Sequence, residues 1–220
     1  MKKLYILAVL ALLIPEVYGQ HINTRRYAVE AEKTIVSDDF ESYSLGTDLH
    51  ETDNWTTSRP GNDIEVVSCG GGQCIEGIET YYAEIIHVGT FEDDQYAELD
   101  VPASTTSGHI GPIVRGSTTA QTYYFWMGRQ GASYLRAVVT GTIYTFATGD
   151  GFDDGDNVRL EIEGWELRCY KNGSLDTSID TDGKFTVTNE AHKISSGNPG
   201  AVSYGNASGT VGDNFEGGDL

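Results

Sequence analysis

The chain has 220 residues, 33 of them Asp or Glu against 14 Lys and Arg, for a formal net charge of −19. A surplus of that size repels phosphate backbones and anionic bilayers, so no nucleic acid and no membrane surface is expected as a partner. It suits a soluble extracellular protein, a calcium-rich setting or a salty habitat.

Lys2 and Lys3 precede an apolar run from Leu4 to Pro15, and Val17 and Gly19 occupy the small-residue positions before a cleavage point at Gln20. That pattern predicts a secretory signal peptide over residues 1–19, too short and wrongly flanked for a transmembrane span. A retained N-terminal anchor is the alternative. The expected location is secreted, extracellular or periplasmic, with no membrane insertion once the leader is cut. Residues 20–35 are polar and lack turn chemistry, and are expected to form an extended arm. Tyr27 to Val36 can instead be a first strand, or one that docks on a neighbouring subunit.

From Val36 onward short strand patterns alternate with Gly, Asp, Asn and Ser. Tyr81–Val88 and Gln95–Val101 flank the Glu92-Asp93-Asp94 turn, and Ala97, Leu99 and Val101 alternate with polar neighbours as in a half-buried strand. His109–Arg115, Thr122–Gly128, Tyr134–Thr140 and Ile143–Thr148 follow at roughly ten-residue spacing. Val158, Leu160 and Ile162 alternate with Arg159, Glu161 and Glu163. Gly164 permits a turn, Glu166–Tyr170 returns, and Asn172-Gly173 is a strong hairpin signal. Phe185–Val187 and Ala201–Tyr204 precede the closing segment. No stretch shows a helical period. The fold class is therefore all-β, a two-sheet antiparallel sandwich or barrel in one domain over 36–220.

Cys69 and Cys74 bracket a glycine-rich loop that can close a small disulfide in an exported chain. Cys169 lies within a strand pattern and reads as a buried thiol. Asp38-Asp39-Phe40-Glu41 and Asp213-Asn214-Phe215-Glu216 echo each other near the two ends of the domain. The echo predicts first and last strands lying side by side.

The run Gly155-Asp156-Asn157-Val158-Arg159-Leu160-Glu161-Ile162-Glu163-Gly164, with Leu167, Tyr170 and Asn172-Gly173, leads to Gly197-Asn198-Pro199-Gly200 and Asp213-Asn214-Phe215. Together with Gln95-Tyr96-Ala97-Glu98-Leu99, it resembles the concanavalin A-like, laminin G-like jelly rolls of secreted bacterial proteins. The resemblance covers residues 36–220 and implies two stacked antiparallel sheets. It also implies a structural calcium near the joined termini, for which Asp38, Asp39, Asp213 and Asn214 offer oxygen ligands. The superfamily spans lectins, adhesion modules, hydrolases and lyases, so it does not supply an activity.

Three chemistries compete. For glycan binding, strand parity offers Arg115, Tyr124, Trp126 and Tyr170 as a forked donor and aromatic platforms; Tyr124 and Trp126 are equally placed to be sandwich core. For calcium, the seam acids and the loop Asp150–Asp156 are the alternatives. For hydrolysis, Glu161, Glu163 and Glu166 approach, without matching, the spaced acids of a retaining glycosidase. His87 or His109 with Tyr124 are the acid and base of a lyase reading. The leading expectation is a non-catalytic secreted sandwich that binds a polysaccharide, a cell-surface glycan or another extracellular partner. The first alternative is a homo-oligomeric filament or surface-layer subunit assembled through the arm. The second is a glycan-active enzyme.

Overall fold

The structure is a computed structural model and describes residues 32–59, 61, 63–78, 81–205 and 209–220. The expected leader and residues 20–31 of the expected arm lie outside the described residues. The compact unit runs from Lys33 to Leu220.

Sixteen strands are described. In chain order they are β1 (Ile35–Asp38), β2 (Trp55–Thr56), β3 (Ile64–Cys69), β4 (Gly72–Gly77), β5 (Tyr82–His87), β6 (Gln95–Ala103), β7 (His109–Gly116) and β8 (Tyr123–Arg129). They continue with β9 (Ala132–Val139), β10 (Thr142–Gly149), β11 (Asp156–Glu163), β12 (Glu166–Lys171), β13 (Ser174–Leu175), β14 (Lys184–Thr186), β15 (Asn198–Tyr204) and β16 (Val211–Asp219). The helical segments among the described residues are two single 3₁₀ turns, Leu49–Glu51 and Glu190–His192.

The strands form two antiparallel sheets. One has nine strands in the order β13-β12-β11-β6-β16-β4-β3, with β1 also against β16 and β14 against β12. The other has seven, β10-β9-β8-β7-β15-β5-β2. First and last strands pair as the echo implied, Asp38 facing Phe215 and Ile35 facing Gly218. Asn172 and Gly173 both take positive φ, as the tight β12–β13 turn requires. The β3–β4 hairpin was not expected from sequence: its glycines read as loop, yet Cys69 pairs with Gly72 across a two-residue turn at Gly70-Gly71.

The core lies between the sheets. Leu99, Leu160, Ile162 and Leu167 of the nine-stranded sheet meet Ile85, Ile110, Val114, Leu135 and Ala201 of the other. A second apolar cluster, Ile113, Tyr123, Phe125, Met127, Val138 and Val202, occupies the opposite face of the seven-stranded sheet. β7 and β8 are consequently buried on both sides, and their sequences carry no polar alternation.

Candidate functional site

The four residues expected to contact glycan are not brought together on one surface. Tyr124 and Trp126 are core: both are fully buried, Tyr124 donates its hydroxyl to the His192 carbonyl at 2.8 Å, and Trp126 packs edge-on to Phe152 at 4.8 Å. Neither presents a ring face to solvent, because parity on a strand buried on both sides does not reveal which side faces the other sheet. Arg115 is buried as well. Its guanidinium donates to the Asp93 and Ile194 carbonyls at 2.7 and 2.9 Å and stands 3.5 Å from Asp94. It thereby fixes the loop around Ile194, which also donates its N–H to Tyr124. Tyr170 lies apart, half-buried on the nine-stranded sheet.

At the seam, Asp38 accepts from the Phe40 N–H at 2.9 Å, the Tyr43 hydroxyl at 2.8 Å and the Trp55 indole at 2.9 Å. Both its oxygens are engaged by protein donors. Asp39 accepts from the Glu41 N–H, Asp213 from the Asn214 N–H, and the Asn214 amide donates to Asp100 at 2.9 Å. Asp38 thus has both carboxylate oxygens, and Asn214 its amide nitrogen, engaged within the chain. Asp39, Glu41 and Asp100 gather around Asp213. Burial, then the repulsion of the other three, pushes the Asp213 carboxyl above its ordinary value. Cys69 and Cys74 lie beside Asp213, but they are joined to each other as a disulfide and offer no thiolate. Cys169 is fully buried, and burial pushes its thiol up. A further trio, Asp48, His50 and Asp63, brings two carboxylates and an imidazole together, with His50 Nδ1 at 2.6 Å from Asp48 and 3.4 Å from Asp63.

The acids considered for hydrolysis lie on the outer face of the nine-stranded sheet, and arginine occupies them. Arg159 contacts Glu161 at 2.8 Å and Glu98 at 3.3 Å; Arg168 contacts Glu166 and Glu163, each at 2.6 Å. The Arg159 guanidinium also lies 3.7 Å over the Tyr96 ring. The Arg168 guanidinium is held further above its ordinary value, chiefly by Glu166. This is a surface ion-pair lattice, with carboxylates fixed at their partners.

The outer face of the seven-stranded sheet is built differently. Register sets Tyr204 against Tyr82 on one side and against His109 on the other, and Met127 against Tyr134. Tyr204 lies 4.7 Å from Tyr82 and 5.6 Å from His109, and His109 lies 5.7 Å from Tyr134. Arg136 lies 4.2 Å over the Tyr134 ring and donates to the Tyr82 hydroxyl and, at 3.1 Å, to Thr145. Beneath these groups lies the second apolar cluster, with Tyr82, Tyr134 and Tyr204 packed half-buried against it.

Several buried polar atoms here have no partner. His109 is 7% exposed, and neither ring nitrogen makes a well-formed hydrogen bond, the Tyr204 backbone being at most a weak partner. Glu84 is 1% exposed; Ser58 donates to one carboxylate oxygen at 2.7 Å and the other is unpartnered. The Nε of Arg129 is also buried and unpartnered. Burial, then the charges of Arg129 and Arg136, brings His109 down to about 4. Burial pushes Glu84 up, against the Ser58 hydrogen bond and the charge of Arg59. Buried polar atoms are normally satisfied, and others without partners lie elsewhere, at Trp126, Ser133 and Asp176 among them. On this face they stand beside aromatic rings and an arginine, where a polar ligand can supply the missing bonds.

Solved structures place this sandwich among known folds. CBM66, a carbohydrate-binding module from Bacillus subtilis, aligns with a TM-score of 0.50 and 16% identity over 77% of this chain and 94% of that one. A Bacillus subtilis protein of unknown function with a galectin-like fold aligns with a TM-score of 0.54 and 11% identity over 79% and 92%. The chain has the concanavalin A-like, galectin-like jelly-roll fold. A Bacillus licheniformis β-glucanase matches more loosely, with a TM-score of 0.40 and 12% identity over 84% and 98%. At such identities the likeness is one of fold alone. No family model matches the chain, and no curated protein matches it.

Sequence reasoning passed over Tyr82, Glu84, Arg129, Tyr134, Arg136 and Tyr204, and weighed His109 only as a lyase residue. A signal was present. From Val101 to Gly149 the chain has no Asp or Glu, though it carries 33 in all. That stretch builds β7 to β10, four adjacent strands of the seven-stranded sheet.

Proposed function

We propose that this chain is a secreted, non-catalytic jelly roll that binds glycan chains on the outer face of its seven-stranded sheet. The observation that carries the reading is the cluster of Tyr82, Tyr134 and Tyr204 around His109 and Arg136. Tyrosine offers an apolar ring for a sugar's C–H face and a hydroxyl for its polar rim, and Arg and His offer directed donors. The unpartnered nitrogens of His109 and Arg129 favour a polar occupant over an apolar one. The opposite face supports the non-catalytic part, since Glu161, Glu163 and Glu166 are held in ion pairs. Assembly through the arm has no observation in its favour, since residues 20–31 lie outside the described residues.

Affinity electrophoresis through polysaccharide-containing gels tests the proposal. Retardation by at least one polysaccharide, lost in Tyr204→Ala and retained in Tyr170→Ala, is the expected outcome. Equal loss in both variants, or retardation that Tyr204→Ala leaves intact, would remove the site from this face.

A further inference from the structure

The charge on the same outer face runs opposite to that of the chain. Among the described residues, Arg159, Arg168, Lys171 and Lys193 each contact a carboxylate, and Arg115 meets Asp94. Arg129 and Arg136 make no salt bridge among the described residues, and neither do Arg59, Lys33 and Lys184, although the chain carries more than twice as many acids as bases. Of the five N–H donors of Arg136, Tyr82 and Thr145 take two. The acid-free run from Val101 to Gly149 means that β7 to β10 and the turns joining them supply no carboxylate to neutralise either arginine. Among the described strands of this sheet the acid is Glu84, across the sheet on β5, with one oxygen engaged by Ser58 and its carboxyl favoured in the uncharged form by burial.

Two arginines left unneutralised beside a buried imidazole form an anion-receiving surface, and an arginine fork fits the two oxygens of a carboxylate or sulfate. We propose that this face selects acidic polysaccharides, bearing carboxylate or sulfate groups, over neutral ones, with Arg129 and Arg136 taking the anionic group. The inference rests on the glycan-binding reading above and narrows its ligand class. The tyrosines supply the sugar-ring contacts and the arginines supply the charge selection. The negative charge elsewhere on the chain keeps other polyanions from adhering without specificity.

Isothermal titration of the full chain against matched pairs tests it: polygalacturonate with its fully methyl-esterified form, and dextran sulfate with dextran. Duplex DNA serves as a third polyanion. Tighter binding to the acidic member of at least one pair is expected, weakening with added salt, and the pair that discriminates tells carboxylate from sulfate. Arg136→Gln should weaken acidic binding roughly ten- to a hundred-fold, as expected for a lost charge-assisted bond. Arg136→Lys keeps the charge but loses the fork and should fall between, while Arg168→Gln on the opposite face should bind as wild type. Urea midpoints confirm that each variant is folded; should Arg136→Gln fail to fold, Arg136→Lys and the matched pairs still decide. Equal binding to both members of each pair would overturn the charge selection and leave the glycan reading standing. Binding to no polysaccharide would overturn both. Equal binding of DNA would overturn the assignment to glycan.

Discussion

The two outer faces of this sandwich handle charge in opposite ways. On the nine-stranded sheet, Glu98, Glu161, Glu163 and Glu166 are matched with Arg159 and Arg168 in a lattice that solvent reaches. On the seven-stranded sheet, tyrosines cover a second apolar layer, and His109, Glu84 and Arg129 keep buried atoms without partners. The first arrangement is complete within the chain and asks for nothing from outside. The second keeps unpartnered buried atoms, which is why the ligand is proposed there. Where a chain leaves polar groups unsatisfied says more about function than where it concentrates charge.

The contrast can be broken experimentally. If the layer beneath the tyrosines is a true second core, Phe125→Ala should cost roughly 3–5 kcal/mol of stability by urea unfolding, as for other buried aromatics. Tyr170→Ala on the opposite face should cost far less. Comparable losses would erase the distinction.

A pH series sharpens the comparison next. Histidine in the unfolded chain titrates near 6.5, whereas burial and the charges of Arg129 and Arg136 bring His109 in the fold down to about 4. The unfolded chain takes up the proton first. Stability from this group is therefore intact above about pH 6.5 and is lost as pH falls towards about 4, by roughly 3 kcal/mol. His109→Gln should remove that part of the slope; an unchanged slope would mean the imidazole is not held neutral.

The seam gives a smaller effect. Asp213→Asn relieves repulsion from Asp100, Glu41 and Asp39 and should raise the melting temperature slightly in chelator-treated protein. A fall in that variant, together with a wild type that loses stability on chelation, would mean that a bound cation holds the cluster together. The smallest effect is expected from Arg168→Ala. Its partners are surface carboxylates, so the loss should stay below about 1 kcal/mol and shrink further in high salt.

Much of the fold was legible in the sequence, and the reason is physical. β6 and β11 are buried on one side and solvated on the other, so Leu99 and Val101, like Leu160 and Ile162, alternate visibly with polar neighbours. Asn172-Gly173 marked its turn by the positive φ that few other pairs tolerate. The acidic-aromatic echo marked two strands that do pair. The candidate site was illegible for the complementary reason. β7 and β8 are covered on both faces, so their residues carry no alternation that distinguishes Tyr124 and Trp126, facing the other sheet, from Tyr123 and Phe125, facing outward. Tyr82 and Tyr204 meet from strands more than a hundred residues apart in sequence, and only the strand order brings them together. Net charge hid the site as well, because the total of −19 averages over an acid-free stretch that builds one half of the sheet.

The most direct test of the account is a two-dimensional amide NMR titration of the labelled chain with an acidic oligosaccharide. The account predicts shifts concentrated at Tyr82, His109, Tyr134, Arg136 and Tyr204, with Tyr96, Arg159, Arg168 and Tyr170 unmoved. Shifts confined to the second group would contradict it and move the ligand to the nine-stranded sheet.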